Sequence, residues 1–223
     1  MRKNIEDLKK YYADRAKEYE ETAGYRDPVA EKIREKIKVR HQNYFRGHDV
    51  LEIACGTGYW TEVIVVSAKS ILTIDINKEM ITIAKKRLAR FPNVNFKVAD
   101  AFVLDKIQGY FSAAYAHWWW SHIPKSMIRD FLLNLHRRLI PGAFVLFADH
   151  LPGYPGREIE VIRDKNGDRL EKRVLKNGKK YLIIKNFPTQ EEINMYLLGI
   201  AKNINFHEYK GYWELGYNVI KKQ

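Results

Sequence analysis

Short apolar runs alternate with longer amphipathic stretches between residues 50 and 149. The runs are VLEIA, ILTIDI, VNFKVA, FSAAYA and AFVLFAD. Runs of this length are typical of strands that are buried on both faces of a parallel sheet. The stretches between them predict helices over about 59–68, 77–90 and 124–139. Because strands alternate with helices, the pattern predicts an α/β fold with a doubly wound, mostly parallel sheet.

The segment before this core has the pattern of an amphipathic helix. Over residues 3–21, one face carries apolar residues at spacings of three and four, namely Ile5, Leu8, Tyr12, Ala16 and Tyr19. This spacing predicts a lead helix that could lie over a cleft of the core.

The segment after the core loses the alternation. Two turn signals, Asn166-Gly167 and Asn177-Gly178, predict β-hairpins that form a small insertion. A helix is predicted over 186–199. Two last strands, at about 203–209 and 212–220, are expected to pair antiparallel at the sheet edge.

The charge of the chain favours an anionic partner. The formal net charge is +12, and a basic surface raises affinity for nucleic acid, acidic lipid or an anionic substrate. The basic residues are spread along the chain, however, so solubility alone would explain them. Four arginines after the core could bind an anionic substrate or form a solvated hairpin face, namely Arg157, Arg163, Arg169 and Arg173.

Two further features bear on the cellular setting. The opening MRKNIEDLKKYY is charged, and no stretch approaches the roughly 18 to 20 apolar residues of a membrane-spanning helix. We therefore expect a cytoplasmic protein without a membrane partner. The one cysteine, Cys55, excludes an internal disulfide and lies in a glycine loop, where we expect a packed thiol rather than a reactive one.

The segment VLEIACGTGYW predicts a strand that ends in a loop of small residues and runs directly into a helix. Gly56 and Gly58 have no side chains, so a ligand can approach the backbone and the unpaired amides at the helix start. In dinucleotide-binding loops a third glycine follows three positions later, where this chain has Thr61. This difference counts against a nicotinamide cofactor.

Two aspartates follow the next two strands. Asp75 ends ILTID, where a carboxylate can accept hydrogen bonds from both hydroxyls of a ribose. It could instead cap the helix that begins near Asn77. Asp100 follows the third strand, where it could accept from an adenine amino group while Ala101 and Phe102 flank the ring.

LEIACGTG, TIDIN and VAD, in this order and spacing, resemble the class I S-adenosylmethionine-dependent methyltransferases of the small-molecule type. The resemblance covers about 45–220 and implies a seven-stranded Rossmann-like sheet with a terminal antiparallel strand pair. It also implies S-adenosylmethionine (SAM) as cofactor. Ala54 stands where family members often have glycine, a change that looks tolerable because alanine is also small.

The resemblance implies a role for each part of the site. The glycine loop lines the methionine part of the cofactor, Asp75 contacts the ribose, and Asp100 contacts the adenine. A tyrosine or arginine of the lead helix covers the methionine end. The predicted cofactor-binding residues are Tyr12, Arg15, Tyr19, Glu52, Ala54, Cys55, Gly56, Thr57, Gly58, Asp75, Ile76, Asp100, Ala101, Phe102 and Trp118.

The length of 223 residues fits a single domain. We expect four parts within it: an N-terminal helical lid over 1–45, a cofactor-binding core over 46–150, a hairpin insertion over 151–187, and a terminal helix with the strand pair over 188–223.

Methyl transfer from a sulfonium is an in-line displacement, so the protein needs to position the acceptor and exclude water but needs no nucleophile. The fourth strand ends in AYAHWWWSHIP, which predicts an aromatic wall beside the methyl donor. We expect only Trp118 or Trp119 to reach the pocket.

Two histidines beside this wall, His117 and His122, are the predicted catalytic residues, because a neutral imidazole could remove a proton from the acceptor. Either could instead be a structural hydrogen-bonding residue, and His150 is a third candidate. No metal is expected, because the fourth strand ends in a histidine rather than an acid.

The predicted function is transfer of a methyl group to O, N or C of a small-molecule acceptor. An RNA methyltransferase is the first alternative, favoured by the charge and disfavoured because no RNA-binding module is visible. A cofactor-binding module without catalysis is the second. The sequence gives no indication of the oligomeric state.

Overall fold

A computed structural model describes residues 2–23, 28–152 and 160–220 of the chain. The helices are α1 (Arg2–Arg15), α2 (Tyr19–Thr22), α3 (Pro28–Tyr44), α4 (Tyr59–Ile64), α5 (Lys78–Arg87), α6 (Ile128–His136) and α7 (Gln190–Leu197). The strands are β1 (Asp49–Ile53), β2 (Ser70–Asp75), β3 (Val94–Val98), β4 (Phe111–His117), β5 (Leu139–His150), β6 (Val161–Arg163), β7 (Arg169–Val174), β8 (Lys180–Ile184), β9 (Ala201–Tyr209) and β10 (Tyr212–Val219).

Seven strands form one twisted sheet in the order β3-β2-β1-β4-β5-β10-β9. Strands β1 to β5 are parallel, and β10 pairs antiparallel with both β5 and β9. The order reverses between β1 and β4, and ligands of open α/β sheets bind in the crevice beyond the carboxyl ends of the strands at such a point. The predicted seven-stranded sheet and its terminal strand pair are confirmed.

Helices cover both faces of the sheet, because successive residues of a buried strand point to opposite sides. On β1, Leu51 packs into one apolar cluster with Phe131, whereas Val50 packs into the other with Phe45. Ile37 of α3 belongs to this second cluster. Helix α3 is therefore part of the core, whereas α1 borders the cavity described below.

The lead helix is interrupted, where the sequence predicted one helix over 3–21. A 3-10 turn, Ala16–Glu18, separates α1 from α2. Ala16 is buried in this turn. The Thr22 hydroxyl donates to the carbonyl of Glu18, the last residue of the turn. Helix α4 is also shorter than predicted and ends at Ile64.

The predicted hairpin insertion is confirmed as a three-stranded antiparallel sheet in the order β6-β7-β8. It packs against α1 through a small apolar cluster in which Leu8 and Tyr11 meet Leu175 and Ile183. The insertion therefore packs directly against α1. Arg157 lies outside the described residues.

None of the helices in the described part of the chain has the length and apolar character that crossing a membrane requires.

Candidate active site

A cavity of about 750 Å³ lies between α1 and the carboxyl ends of β1, β2 and β4. Twelve of the predicted site residues line it: Tyr12, Tyr19, Ala54, Gly56, Asp75, Ile76, Asp100, Ala101, Phe102, His117, Trp118 and His122. The sequence did not assign eight other lining residues to the cofactor site: Ile5, Leu8, Lys9, Ile74, Asn77, Met80, Ala99 and Trp119. The apolar stripe of the lead helix was the available signal for Ile5 and Leu8.

Five predicted cofactor-binding residues do not line the cavity: Arg15, Glu52, Cys55, Thr57 and Gly58. Glu52 is buried beneath the glycine loop, where it accepts a hydrogen bond from Thr61 Oγ1 at 2.7 Å. Burial raises the pKa of Glu52 to about 7. Burial also raises the pKa of the Cys55 thiol well above its usual range, so the thiol stays protonated.

The two glycines of the loop have different surroundings. Gly56 has a φ of +57° and open space where a Cβ would stand, so it leaves room for a ligand. Gly58 has a φ of +79°, and a Cβ there would lie 3.1 Å from that of Ala84 and 3.0 Å from Leu88 Cδ1. Gly58 thus allows the loop to pack on α5.

Ala54 has a left-handed backbone with a φ of +55°. For a residue with a Cβ this conformation costs roughly 1–2 kcal/mol. Alanine is small enough for this position, but its backbone conformation there is less favourable than that of a glycine.

Asp75 joins β2 to the glycine loop. Its Oδ2 accepts from the backbone N–H of Gly56 at 2.9 Å, and its Oδ1 accepts from that of Asn77 at 2.8 Å. The N-cap of α5 is Asn77, so Asp75 is not the helix cap. Burial raises the pKa of Asp75 to about 6, although the backbone N–H groups oppose this rise. Each carboxylate oxygen keeps a second lone pair for another donor.

The neighbouring end of the cavity is lined by Asp100, Ala101 and Phe102. Asp100 Oδ1 accepts from the backbone N–H of Phe102 at 2.8 Å, and Ala101 is buried beside it. The Phe102 ring lies 5.7 Å from that of Trp119.

The three tryptophans divide between the cavity and the core. Trp118 and Trp119 both line the cavity, whereas Trp120 is buried in the core. The expectation that only one of the first two would reach the pocket is wrong, because the backbone of Trp118 is left-handed with a φ of +60°. Its N–H donates to the carbonyl of Ala148 at 2.7 Å, and its ring stacks on His150 at 4.6 Å. Strain of this kind, about 1–3 kcal/mol, clusters at functional sites.

His117 stacks on Trp60, the second residue of α4, with ring centroids 3.9 Å apart and planes inclined by 15°. Both ring nitrogens are buried, and neither has a hydrogen-bond partner among the described residues. Burial, together with nearby His41, holds the pKa of His117 well below its usual range. A neutral imidazole therefore lines the cavity, with two nitrogens that have no hydrogen-bond partner in the described part of the chain.

His122 has a partner on each ring nitrogen. Its Nδ1 lies 2.7 Å from the carbonyl oxygen of Ile184, and its Nε2 lies 2.8 Å from the Tyr12 hydroxyl. A carbonyl can only accept, so Nδ1 carries the proton and the Tyr12 hydroxyl donates to Nε2. Burial lowers the pKa of His122 to about 3. Through these two hydrogen bonds, His122 connects α1 to β8 of the insertion.

A buried ion pair anchors the insertion to the main sheet. Lys185 Nζ lies 3.0 Å from Asp149 Oδ1 and donates to Ser121 Oγ at 2.6 Å. Burial raises the pKa of Asp149, but Lys185, His150, His122 and the backbone N–H of Ser121 together outweigh this effect and hold the pKa well below its usual range.

The lid is fixed at its other end by Arg87 of α5. Arg87 donates Nε to the carbonyl of Thr57 at 3.1 Å and forms ion pairs with Glu62 of α4 and Glu20 of α2. Arg15, predicted to cover the methionine end, lies 4.7 Å from the centre of the Tyr19 ring and donates to Thr22 Oγ1. Within the described ranges, no group of His, Cys, Asp or Glu is arranged to hold a metal ion.

Comparison with known proteins agrees with this arrangement. A family model described as a methyltransferase domain matches residues 50–142. Two solved complexes of DhpI, one with SAH and one with SAM and HEP, are 26% and 25% identical to the chain, each with a TM-score of 0.76. They cover 98% and 96% of this chain and 98% and 97% of their own.

A more distant structure shares the fold. N-methyltransferase NodS from Bradyrhizobium japonicum WM9 is 14% identical over 87% of this chain and 99% of its own, with a TM-score of 0.60. None of the curated proteins compared with the chain matches it. The family model identifies residues 50–142 as a methyltransferase domain, and together with the SAH- and SAM-bound structures it supports a class I S-adenosylmethionine-dependent methyltransferase.

Proposed function

We propose that the protein transfers the methyl group of SAM to a small-molecule acceptor bound beneath the lid. The covered cavity carries this proposal. The cavity runs from Asp75 and Asp100 at one side to Trp118 and Trp119 at the other, so it offers one side to the cofactor and another to an acceptor. The DhpI complex with SAM and HEP supports the proposal, because it contains a second ligand beside SAM in a protein similar over its whole length.

We assign the adenosine part of the cofactor to the side of the cavity under β2 and β3. Asp75 has lone pairs left for the ribose hydroxyls, and Asp100 is positioned to accept from the adenine amino group. Phe102 and Met80 offer apolar surfaces for the adenine ring. The acceptor then lies towards Trp118 and Trp119, at the other side.

The His122 contacts favour a positioning role over the predicted role of general base. Both its nitrogens are in hydrogen bonds, and its pKa of about 3 opposes protonation. Because His122 is engaged in this way, we infer that the accepting atom is nucleophilic as it binds. Ionised acid oxygens and uncharged amines meet this condition, whereas alcohols do not.

The charges around the acceptor end favour the acid. Three cations, Lys185, Arg173 and Arg15, and one carboxylate, Asp149, act on His150, which stacks on Trp118. Burial and Lys185 lower the pKa of His150 to about 3, so His150 adds no charge. A positive potential at this end would attract an anionic acceptor. We therefore propose an ionised acid oxygen as the methyl acceptor.

The test is production of SAH from SAM with panels of small acids, phenols and amines, and with bulk tRNA in parallel. Turnover with a small acid, with little turnover of its uncharged amide analogue, would support the proposal. Turnover with tRNA alone would contradict it and favour the RNA methyltransferase that the net charge of +12 allows. SAM binding without turnover of any acceptor would support a module without catalysis.

A further inference from the structure

His117, predicted as a catalytic base, differs from His122 in its hydrogen bonding. His122 uses both ring nitrogens to tie the lid, whereas neither nitrogen of His117 has a partner among the described residues. A buried polar atom without a partner is destabilising, because it has lost its hydrogen bonds to water. The cost at His117 is removed if a ligand in the cavity supplies the partners.

The position of His117 in the sheet indicates which part of the ligand it meets. Glu52 of β1 is paired with Tyr115 of β4, so the register, continued by two residues, places Ala54 beside His117. The imidazole thus stands next to the glycine loop. Its stacking partner, Trp60, belongs to the helix that starts directly after this loop.

The distance between the ends of β2 and β4 also places His117 at the amino-acid end of the cofactor. Asp75 ends β2, and β1 lies between β2 and β4 in the sheet. Neighbouring strands are about 4.8 Å apart, so the ends of β2 and β4 are roughly 10 Å apart. A cofactor whose ribose lies at Asp75 extends its amino-acid chain over β1 and reaches β4 with the terminal ammonium and carboxylate.

The chemistry of a neutral imidazole matches these two groups. One ring nitrogen carries a proton and donates, and the other accepts. The ring can therefore donate to a carboxylate and accept from an ammonium at the same time. An imidazolium would repel the ammonium, so the buried, uncharged state suits this ligand.

We propose that His117 binds the zwitterionic amino-acid end of SAM, with Trp60 holding the imidazole plane, and that His117 is not the base of the reaction. This inference rests on the proposed placement of the cofactor in the cavity. It does not depend on the identity of the acceptor.

Two ligands that differ only in the amino-acid end test the proposal. SAH contains this end, and 5′-methylthioadenosine has a methyl group in its place. In His117→Phe the ring that stacks on Trp60 is kept and both nitrogens are lost. We expect SAH affinity, measured by calorimetry, to fall between tenfold and a hundredfold, the range for losing a hydrogen bond to a charged group. The affinity for 5′-methylthioadenosine should change less than twofold.

Three further variants complete the design. His117→Gln keeps one donor and one acceptor, so it should recover part of the SAH affinity. Asp75→Asn should weaken both ligands, because both contain the ribose, and this result checks the cofactor placement independently. His207→Ala removes an exposed imidazole of β9 and should leave both affinities unchanged.

Two outcomes would overturn the assignment. An equal fall in the affinities for SAH and 5′-methylthioadenosine in His117→Phe would indicate a distorted cavity. Unchanged SAH affinity would by itself remove His117 from the cofactor site, and a fall in kcat beside it would return His117 to the role of general base. The affinities are measured without an acceptor, so the binding test is independent of whether the proposed acid acceptor is correct.

Discussion

Single residues of the glycine loop show that the backbone, as well as the side chains, shapes the site. Ala54 is held at a φ of +55°, where glycine is at ease. Ala54→Gly should therefore raise the free energy of unfolding by up to about 1 kcal/mol, since relief of roughly 1–2 kcal/mol of strain exceeds the entropic cost of glycine. Urea denaturation measures this change.

The matched control is Ala113→Gly in the middle of β4, where the alanine is buried in a strand. The same chemical change should there lower the free energy of unfolding by about 0.5–1 kcal/mol. Equal effects at both sites would contradict the strain at Ala54.

The carboxyl group of Asp75 should make cofactor binding depend on pH. Its pKa in the free protein is raised to about 6, and the ribose hydroxyls donate to the ionised form. Protonation therefore competes with the ligand below pH 6, and SAH affinity should fall by up to about tenfold for each further pH unit. Calorimetry between pH 4.5 and 7.5 tests this.

The Asp75→Asn variant is the control, because an amide does not titrate in this range. It should bind SAH about 1–3 kcal/mol more weakly at neutral pH, as a polar group loses its matched partner. Its affinity should then stay flat between pH 5 and 6. A slope equal to that of the wild type would assign the titration to another group.

Among the elements, α1 lines the cavity and packs against the insertion. The chain of contacts runs from Tyr12 through His122 to Ile184 and joins α1, the β4 loop and β8. Tyr12→Phe breaks this chain at its first bond. We expect faster amide hydrogen exchange in α1 and faster release of SAH, with a global stability change of about 1 kcal/mol or less.

A double-mutant cycle with His122→Asn tests whether the bond itself is responsible. Both single variants remove the same hydrogen bond, so their effects on the SAH release rate should not add. Additive effects would show that Tyr12 and His122 hold the lid independently of each other.

The buried ion pair of the insertion gives a second prediction for an element. Lys185→Met leaves Asp149 charged and buried without its cation. Such a loss typically costs about 3–5 kcal/mol, so denaturation should show an early loss of the insertion or of the whole fold. Lys179 lies on the same insertion and forms an exposed ion pair with Asp14 of α1. Lys179→Met removes this pair and should have little effect on stability. Equal effects would indicate that Lys185 contributes little through Asp149.

For the whole molecule, binding of SAH should raise the melting temperature. A ligand at a concentration of 100 times its Kd stabilises the folded state by about 2.7 kcal/mol. For a chain of this size that corresponds to a shift of roughly 5–10 °C. NAD and NADP should give no shift, because Thr61 replaces the third glycine of a dinucleotide loop. A shift with either nucleotide would contradict the specificity of the site for the sulfur nucleotides.

Much of the fold was accessible from the sequence because its signals are local. Five apolar runs gave the parallel strands, and Asn-Gly pairs gave the hairpins of the insertion. The glycine loop, Asp75 and Asp100 each follow a strand, and parallel strands end at one edge of a sheet. Their meeting around one cavity therefore follows from their order along the chain.

The contacts that separate His117 from His122 were not accessible in the same way. Both are histidines at the end of the fourth strand, and nothing in their spacing distinguishes them. Tyr12 lies 110 residues from His122, and Ile184 lies 62 residues from it. Pairings over such distances depend on how the insertion and the lid helix dock, which local periodicity does not encode.

The sequence by itself determined the α/β architecture, the order of the cofactor motifs and the resemblance to the methyltransferase family, because strand periodicity and loop composition are properties of neighbouring residues. Only the tertiary structure decided that α3 belongs to the core, that Gly58 serves packing and that Trp118 and Trp119 both face the cavity. It also decided that His117 is the imidazole whose two nitrogens have no hydrogen-bond partner among the described residues. These features depend on which distant surfaces pack together and on the backbone angles that the packing imposes.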